Sequence, residues 1–239
     1  MRGIQTGVLV VAHRWQGRAF RAALVSRPNR FLAVCETEGR LIEAHVPDRG
    51  RCLDLLVPGR EVGVVAAEGP LRRTKFTCLL ARSSTGAWVS LDPAAAPRLV
   101  EEALRLGMLS PLAGLLVVRR EVIVAQSRID LLLTGDVLCE VKSVGAARDG
   151  IARFPDAPTE RGVRHVKLLT RLARRRKCAV VLCAQRGDVR AIQPDEEIDP
   201  DFARALKRAA KAGVIVCGLR CAATLAGMKP MSELPVLLD

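Results

Sequence analysis

Three side chains near the middle of the sequence have types and spacing suited to metal-assisted chemistry: Asp130, Glu140 and Lys142. They fall in two alternating runs, Ser127–Leu133 and Val137–Lys142, on either side of Thr134-Gly-Asp136. This reads as a hairpin with a three-residue turn centred on Gly135. That register sets Leu133 against Val137 and Asp130 against Glu140. One face then carries Ile129, Leu131, Leu133, Val137, Cys139 and Val141. The other carries Arg128, Asp130, Glu140 and Lys142, with Leu132 and Leu138 toward the turn. A one-residue slip would put Ile129 and Leu131 on the acidic face, so the apolar pattern specifies the pairing. Directly opposed carboxylates repel at Cβ separations of about 5 Å, and a cation between them relieves the repulsion. Two acids and a lysine on one face can build a Mg2+ or Mn2+ site for phosphodiester chemistry, with the acids on the ion and Lys142 orienting water or stabilising phosphoryl charge. An ion-pair lattice with Arg128 is the alternative.

Cationic residues supply a second kind of chemistry. A helix expected over about 159–177 buries Val163, Val166, Leu169, Leu172 and Ala173, and presents Arg164, Lys167, Arg171, Arg174 and Arg175 on its other side. No acid follows Glu160 in it, so this face reads as phosphate-binding rather than as a mixed solvated surface. Arg161 stands at its start, in a loop-to-helix segment where Asp156 or Thr159 can cap and a phosphate can bind. His165 reads as structural or as a phosphate contact. Earlier in the chain Arg27, Arg30, Arg49 and Arg51, with Asn29, Phe31 and His45, offer a further nucleic-acid surface; turn chemistry at Pro28-Asn29 is the alternative. Phe31, Phe76 and Trp88 are too few for extensive base stacking, so binding there would be electrostatic.

The bulk composition agrees. The 239 residues carry a net charge of +13, which suits a polyanion, DNA first. No apolar run reaches the length of a membrane span, and Gly7–Ala12 is too short for a signal peptide. Eight cysteines without a C-x-x-C pair, most within apolar runs, read as buried free thiols of a cytoplasmic protein. Neither a membrane association nor a zinc site is expected; self-association is open.

These residues need a scaffold. Short strands are expected at about 7–13, 19–25, 31–37, 40–46, 61–67, 72–81 and 86–91, separated by Gly and Pro turns, the pattern of a small barrel or sandwich. Asp92–Pro97 breaks that pattern. The expected division is a β domain over 1–91, with 1–17 as an extension, a linker over 92–97, and an α/β domain over 98–239. The second part reads as a helix over 98–107, strands at about 115–124, 127–133 and 137–143, a loop, the basic helix, strands at 178–184 and 189–193, a helix opened by Asp199-Pro200, and a strand at 214–219.

This order, with an acid on the second strand and E-x-K on the third, resembles the core of the PD-(D/E)XK nuclease superfamily; Ile129 stands where that group usually has Pro. Longer strings resemble the sugar fermentation stimulation protein A family: Arg27–Ala33, Ala44–Pro47 with Gly50, Leu55–Gly59, Arg98–Leu104, Ser127–Asp130, Glu140–Ser143, Phe154–Gly162 with His165, and Ile198–Ala203. The resemblance implies a mixed α/β protein, with an OB-like β-barrel followed by a nuclease-like αβββαβ domain, and DNA binding of little or no sequence specificity. A Mg2+-dependent deoxyribonuclease is the alternative. It also implies a third acid from the first helix. Glu102, at the edge of the apolar face, fits better than Glu101, which should point to solvent; an ordinary boundary glutamate is the alternative. Pro97, the loop Asp48–Cys52 and Phe76 depart from the family pattern.

Overall fold

The computed structural model describes residues 11–69 and 72–238. The expected first strand, up to residue 10, lies outside them. Alternating burial builds the N-terminal barrel from β1 (Ala19–Asn29), β2 (Leu32–Thr37), β3 (Arg40–His45), β4 (Glu61–Ala66) and β5 (Phe76–Arg82). The strand order is β3-β2-β1-β4-β5, and a parallel pairing of Ala44 with Phe76 and His45 with Thr77 closes the sheet on itself. The result is the expected OB barrel of five strands. Its interior is filled by small and branched side chains, among them Leu24, Ala33, Cys35, Val62, Val64 and Cys78. β6 (Trp88–Ser90) continues the sheet beside β5.

The remainder is a sheet with helices on both faces. α1 (Ala96–Arg105) begins inside the expected linker, because Pro97 occupies the first turn, where a missing N–H costs little. β7 (Val117–Val124), β8 (Ser127–Leu133) and β9 (Val137–Val144) form a meander. A small sheet contains β10 (Ala147–Arg148), β11 (Ile151–Phe154) and, after α2 (Glu160–Leu172) and β12 (Cys178–Ala184), β13 (Ala191–Pro194). α3 (Pro200–Lys211), β14 (Ile215–Thr224) and β15 (Gly227–Leu234) complete the chain. The main sheet runs β15-β14-β12-β9-β8-β7, with β9, β12 and β14 parallel. α1 covers one face together with Leu131, Leu133, Val137 and Cys139. α2 and α3 cover the other through Val166, Leu169, Phe202 and Leu206. Thr159 caps α2, as expected, accepting from the Gly162 N–H at 3.1 Å; Asp199 caps α3 and also accepts from the Thr159 N–H at 2.8 Å, so one buried carboxylate fixes both helix starts.

Some expectations fail locally. β10, β11 and β15 went unread, being short, or polar and Gly/Pro-bearing. α2 ends at Leu172 rather than Lys177, because Arg176 turns back to the hairpin and donates to the Asp136 carbonyl at 2.8 and 3.1 Å and to its carboxylate at 2.6 Å. Ile129 does not share the α1 face with Leu131; it packs with Leu138 on the α2 side. The bridged register of β8 and β9 stops at Leu131–Cys139, and β8 twists away beyond it. All eight cysteines are buried and free.

The two halves are locked together. Trp15, Val65, Leu79 and Trp88 join the α1-side core, so residues from 11 onward are no loose extension: His13 bridges Met228, and the Trp15 indole donates to the Thr224 carbonyl at 2.9 Å. Asp188 accepts from the Ser83 and Thr85 hydroxyls at 2.8 and 2.6 Å and pairs with buried Arg186. A very close approach is at Gly50, where an added Cβ would lie 2.2 Å from the Asp156 carboxylate, which itself accepts from the Cys52 N–H at 3.0 Å. Gly50→Ala should therefore destabilise by about 1–3 kcal/mol through overpacking and lower Tm by several degrees in a calorimetric melt. Asp156→Ala added to it should restore part of the loss. An unchanged Tm in Gly50→Ala would show that the loop shifts without cost.

Candidate metal centre and nucleic-acid interface

The hairpin forms as its residues dictate. Gly135 takes a left-handed φ of 71° in the turn, and Leu133 pairs with Val137. Asp130 and Glu140 fall opposite one another one step beyond the last bridged pair, where the strands part. The Asp130 carboxylate accepts the Val141 N–H at 2.7 Å. Glu140, only 2% exposed, accepts the Lys142 ammonium at 2.6 Å on Oε1 and meets His165 Nδ1 on the same oxygen at 2.5 Å. An ionised carboxylate only accepts, so Nδ1 carries the proton. Glu140 Oε2 is buried and has no hydrogen-bond partner. Leaving such an atom unsatisfied costs about 1–3 kcal/mol or more.

Burial, and after it the charge of Glu140, push Asp130 up to about 6, against the Val141 N–H, Lys142 and His165. Burial raises Glu140 too, but the bond from His165 and the ammonium of Lys142 outweigh it and hold Glu140 below its ordinary value. The pair therefore shares its charge unequally: Glu140 is the anion and Asp130 the member that takes a proton, as expected of two close carboxylates.

Asp130 and Lys142 line an open cleft of about 510 Å³ between the barrel and the α/β domain, together with Asp48 and Asp156, and Arg30, Arg49, Arg153 and Arg161 rim it; the buried Glu140 is not part of its surface. The donor set fits a hard divalent cation in one way. Among the described residues no group of three or more His, Cys, Asp or Glu is placed to hold a metal, so two carboxylates would supply the protein oxygens and water or phosphate the rest, a Mg2+-like arrangement. The free Oε2 of Glu140 is the observation that favours it.

The other expected residues divide. Glu102 is gripped by Arg105 at 2.7 and 2.8 Å on the surface of α1 and does not line the cleft, so the structure does not bring it to the acid pair. Glu101 is not free in solvent; it pairs with Arg120 of β7. Arg27 holds its own loop, donating to the carbonyls of Arg30, Gly50 and Arg51, and Asn29 accepts from the Phe31 N–H at 2.8 Å as turn chemistry. Arg164, Lys167 and Arg171 are exposed along α2, while Arg174 and Arg175 are exposed in the turn after it. His165, expected as structural or as a phosphate contact, is a buried partner of Glu140. Arg153, on the unread strand β11, was missed, although a basic residue next to Phe154-Pro155 was a usable signal.

An OB barrel joined to an α/β domain, with an acid pair and basic rim at their junction, defines the class. The barrel matches the family model described as SfsA N-terminal OB domain over residues 25–91, and the second domain matches the Sugar fermentation stimulation protein RE domain over residues 94–227. A sugar fermentation stimulation protein homolog of Chloroflexus aurantiacus is 42% identical over 219 residues, covering 90% of this chain and 84% of its own. One from Acetivibrio thermocellus is 38% identical over 232 residues, covering 94% and 99%. The structure of Pyrococcus furiosus SfsA in complex with Ca2+ superposes with a TM-score of 0.84 at 27% identity, covering 95% of this chain and 99% of that one. The chain belongs to the sugar fermentation stimulation protein family. Among the described residues no helix is long and apolar enough to cross a membrane.

The Asp130 carboxyl gives a signed pH dependence. Its folded value, about 6 against an ordinary 3.8, is raised, so the stability it contributes is complete below about pH 4 and is lost as pH rises through 6. Asp130→Asn should raise Tm at pH 8 and change it least near pH 4, in melts run with EDTA. A shift of this size corresponds to roughly 2–3 kcal/mol. A variant that melts lower than wild type at pH 8 would mean that burial and the charge of Glu140 do not hold Asp130 above its ordinary value.

Proposed function

We propose that this protein binds DNA through its phosphate backbone, with little dependence on sequence, and that Asp130 and Glu140 hold a divalent cation beside the bound phosphate. The observation that carries this reading is the buried, unpartnered Glu140 Oε2, whose neighbours Asp130 and Lys142 line a cleft rimmed by four arginines. The cations suit phosphate oxygens and the acids do not, unless a cation intervenes. The Ca2+ complex of the Pyrococcus furiosus relative supports a hard divalent cation. With +13 net charge, the electrostatic share of affinity should be large.

A Mg2+- or Mn2+-dependent deoxyribonuclease is the second reading, favoured by Lys142 and by an order of α1, the β7–β9 meander, α2 and β12 that resembles the PD-(D/E)XK nuclease core, with the short β10 and β11 inserted before α2. When bound, the cation would supply positive charge to a phosphoryl oxygen. In such a hydrolysis the water oxygen bonds to phosphorus as it gives a proton to solvent, and the bond from phosphorus to the leaving sugar oxygen breaks as that oxygen takes a proton from solvent. Lys142 would neutralise charge growing on the phosphoryl group. Arg161 and Arg30 would fix the phosphate, and His165 would hold Glu140 in place from below.

The test is incubation with single-stranded, duplex and branched DNA in Mg2+, Mn2+ or EDTA, scoring binding and cleavage separately. Binding that weakens steeply with salt is expected; absence of DNA binding at low salt would overturn the reading. If cleavage occurs, Lys142→Ala should reduce it about a hundredfold or more, the scale of one lost charge-stabilising donor, while most binding remains. Metal-dependent cleavage undiminished in Lys142→Ala would remove the lysine from the chemistry. Binding without cleavage in either metal leaves the first reading alone.

A further inference from the structure

A second cavity, of about 720 Å³, lies on the α2–α3 side of the domain, away from the acid pair. Leu168 and Ala205, both buried, form its floor. One wall is α2, with Arg164, Lys167 and Arg171 at three- and four-residue spacing; the other is α3, with Arg204 and Arg208 four apart. The turn between β7 and β8 closes one end through Gln126 and Ser127, with Ala125 and Gln126 in the left-handed region at φ 44° and 66°. Five cations and one carboxylate, Asp201, line the groove. Asp201 pairs with Arg204 at 2.5 Å on the exposed surface, an arrangement worth little in water. Among the described residues Arg164, Lys167, Arg171 and Arg208 make no ion pair.

We propose that this groove is a second phosphate-binding site, which receives the DNA backbone as it leaves the cleft at Asp130, so that one duplex engages both. The inference rests on the DNA-binding reading and extends it to α3. Its basis is continuity. Arg161 rims the cleft and Arg164, one turn further along the same side of α2, lines the groove. From Arg161 to Arg171 the helix advances about 15 Å at 1.5 Å per residue, the axial rise of roughly four to five base pairs at 3.4 Å each. The groove carries no aromatic side chain, so it offers no stacking platform and suits a backbone rather than splayed bases. A narrow apolar floor between cationic rims, with amide and hydroxyl donors at one end, is the chemistry of a phosphate track.

The experiment compares the full-length wild type with Arg204→Gln/Arg208→Gln, which keeps helix-forming side chains on α3. Both are titrated with random-sequence duplexes of about 6 and about 20 base pairs over a range of salt. Each phosphate contact contributes roughly −0.9 to the log–log slope on duplex DNA. With the longer duplex the variant should show a slope shallower by about two and an affinity lower by on the order of tenfold or more at 0.1 M salt. With the short duplex, which the cleft alone can hold, the two should differ much less. Ca2+ binding measured by calorimetry should be equal in both proteins, showing that the cleft is intact. Wild type binding the long duplex with a slope that the variant leaves unchanged would overturn the second site and leave the DNA-binding reading standing. Failure of the wild type to bind either duplex would remove that reading and this one with it. If the variant instead loses binding to vesicles of phosphatidylserine and phosphatidylcholine while keeping its duplex affinity and slope, the groove serves a lipid surface and the proposal is wrong.

Discussion

The carboxylate of Glu140 is buried in the middle of the main sheet, and much of the second domain can be understood as what keeps an anion there. An unpaired charge in that position would be prohibitive. Two hydrogen bonds to one oxygen, from Lys142 on its own strand and from His165 on α2, offset most of the penalty, and both partners must be held in turn. Lys142 is held by strand geometry, since side chains two apart share a face. His165 is held by α2, whose start is fixed by Thr159 and by the Asp199 carboxylate that also begins α3. The pairing of β9 with β12 seats Glu140 beside Val180, within a layer of branched apolar residues. Removing one partner from such a set usually costs more than the whole set contributes.

The same arrangement leaves an asymmetry. Oε1 is saturated and Oε2 is not, while Asp130 approaches from a strand that has begun to diverge. A symmetric ion-pair lattice with Arg128, the competing reading of these residues, would satisfy both acids. Arg128 is instead directed to Glu121 at 3.6 Å on the exposed edge of the sheet. The acids are left to each other and to whatever enters the cleft. The barrel supplies the other side of that cleft, and the contacts at Gly50, Asp156 and Arg186 fix the backbone that carries its arginines. Preorganised cations lose less on binding than side chains that must first be ordered.

The parts legible in the sequence were those where a single pattern decided the outcome. The hairpin register followed from period-two alternation and one turn, and the two helix caps from Thr159 and Asp199-Pro200. The barrel was legible as a set of short strands and turns. What escaped had a tertiary cause. Ile129 obeys the alternation locally, yet packs on the opposite side because β8 leaves β9 just before it. Arg27 and Arg176 look like surface cations in the sequence, but each is engaged by backbone carbonyls from a distant turn. Glu102 lay at the edge of an apolar face that could have met the cleft; its nearest cation, Arg105, took it instead. His165 is structural, one of the two roles its sequence allowed, but its partner was not legible, since no spacing rule links a helix residue to an acid on a strand 25 positions earlier.

Charge placement gives the final constraint. A protein at +13 gains general affinity for any polyanion, and that alone would not position a phosphate. Here the arginines stand beside the Asp130 and Glu140 pair, and an arginine rim beside an acid pair favours phosphate and cation together over either alone. A phosphate by itself meets Asp130 and Glu140 as repulsive neighbours, and a cation by itself meets four guanidinium groups. Bound together, each screens the other's unfavourable partner. Under the proposed reading, linkage makes the two affinities rise reciprocally, so that the acid pair and the basic rim, whose residues come from both domains, would act as one site.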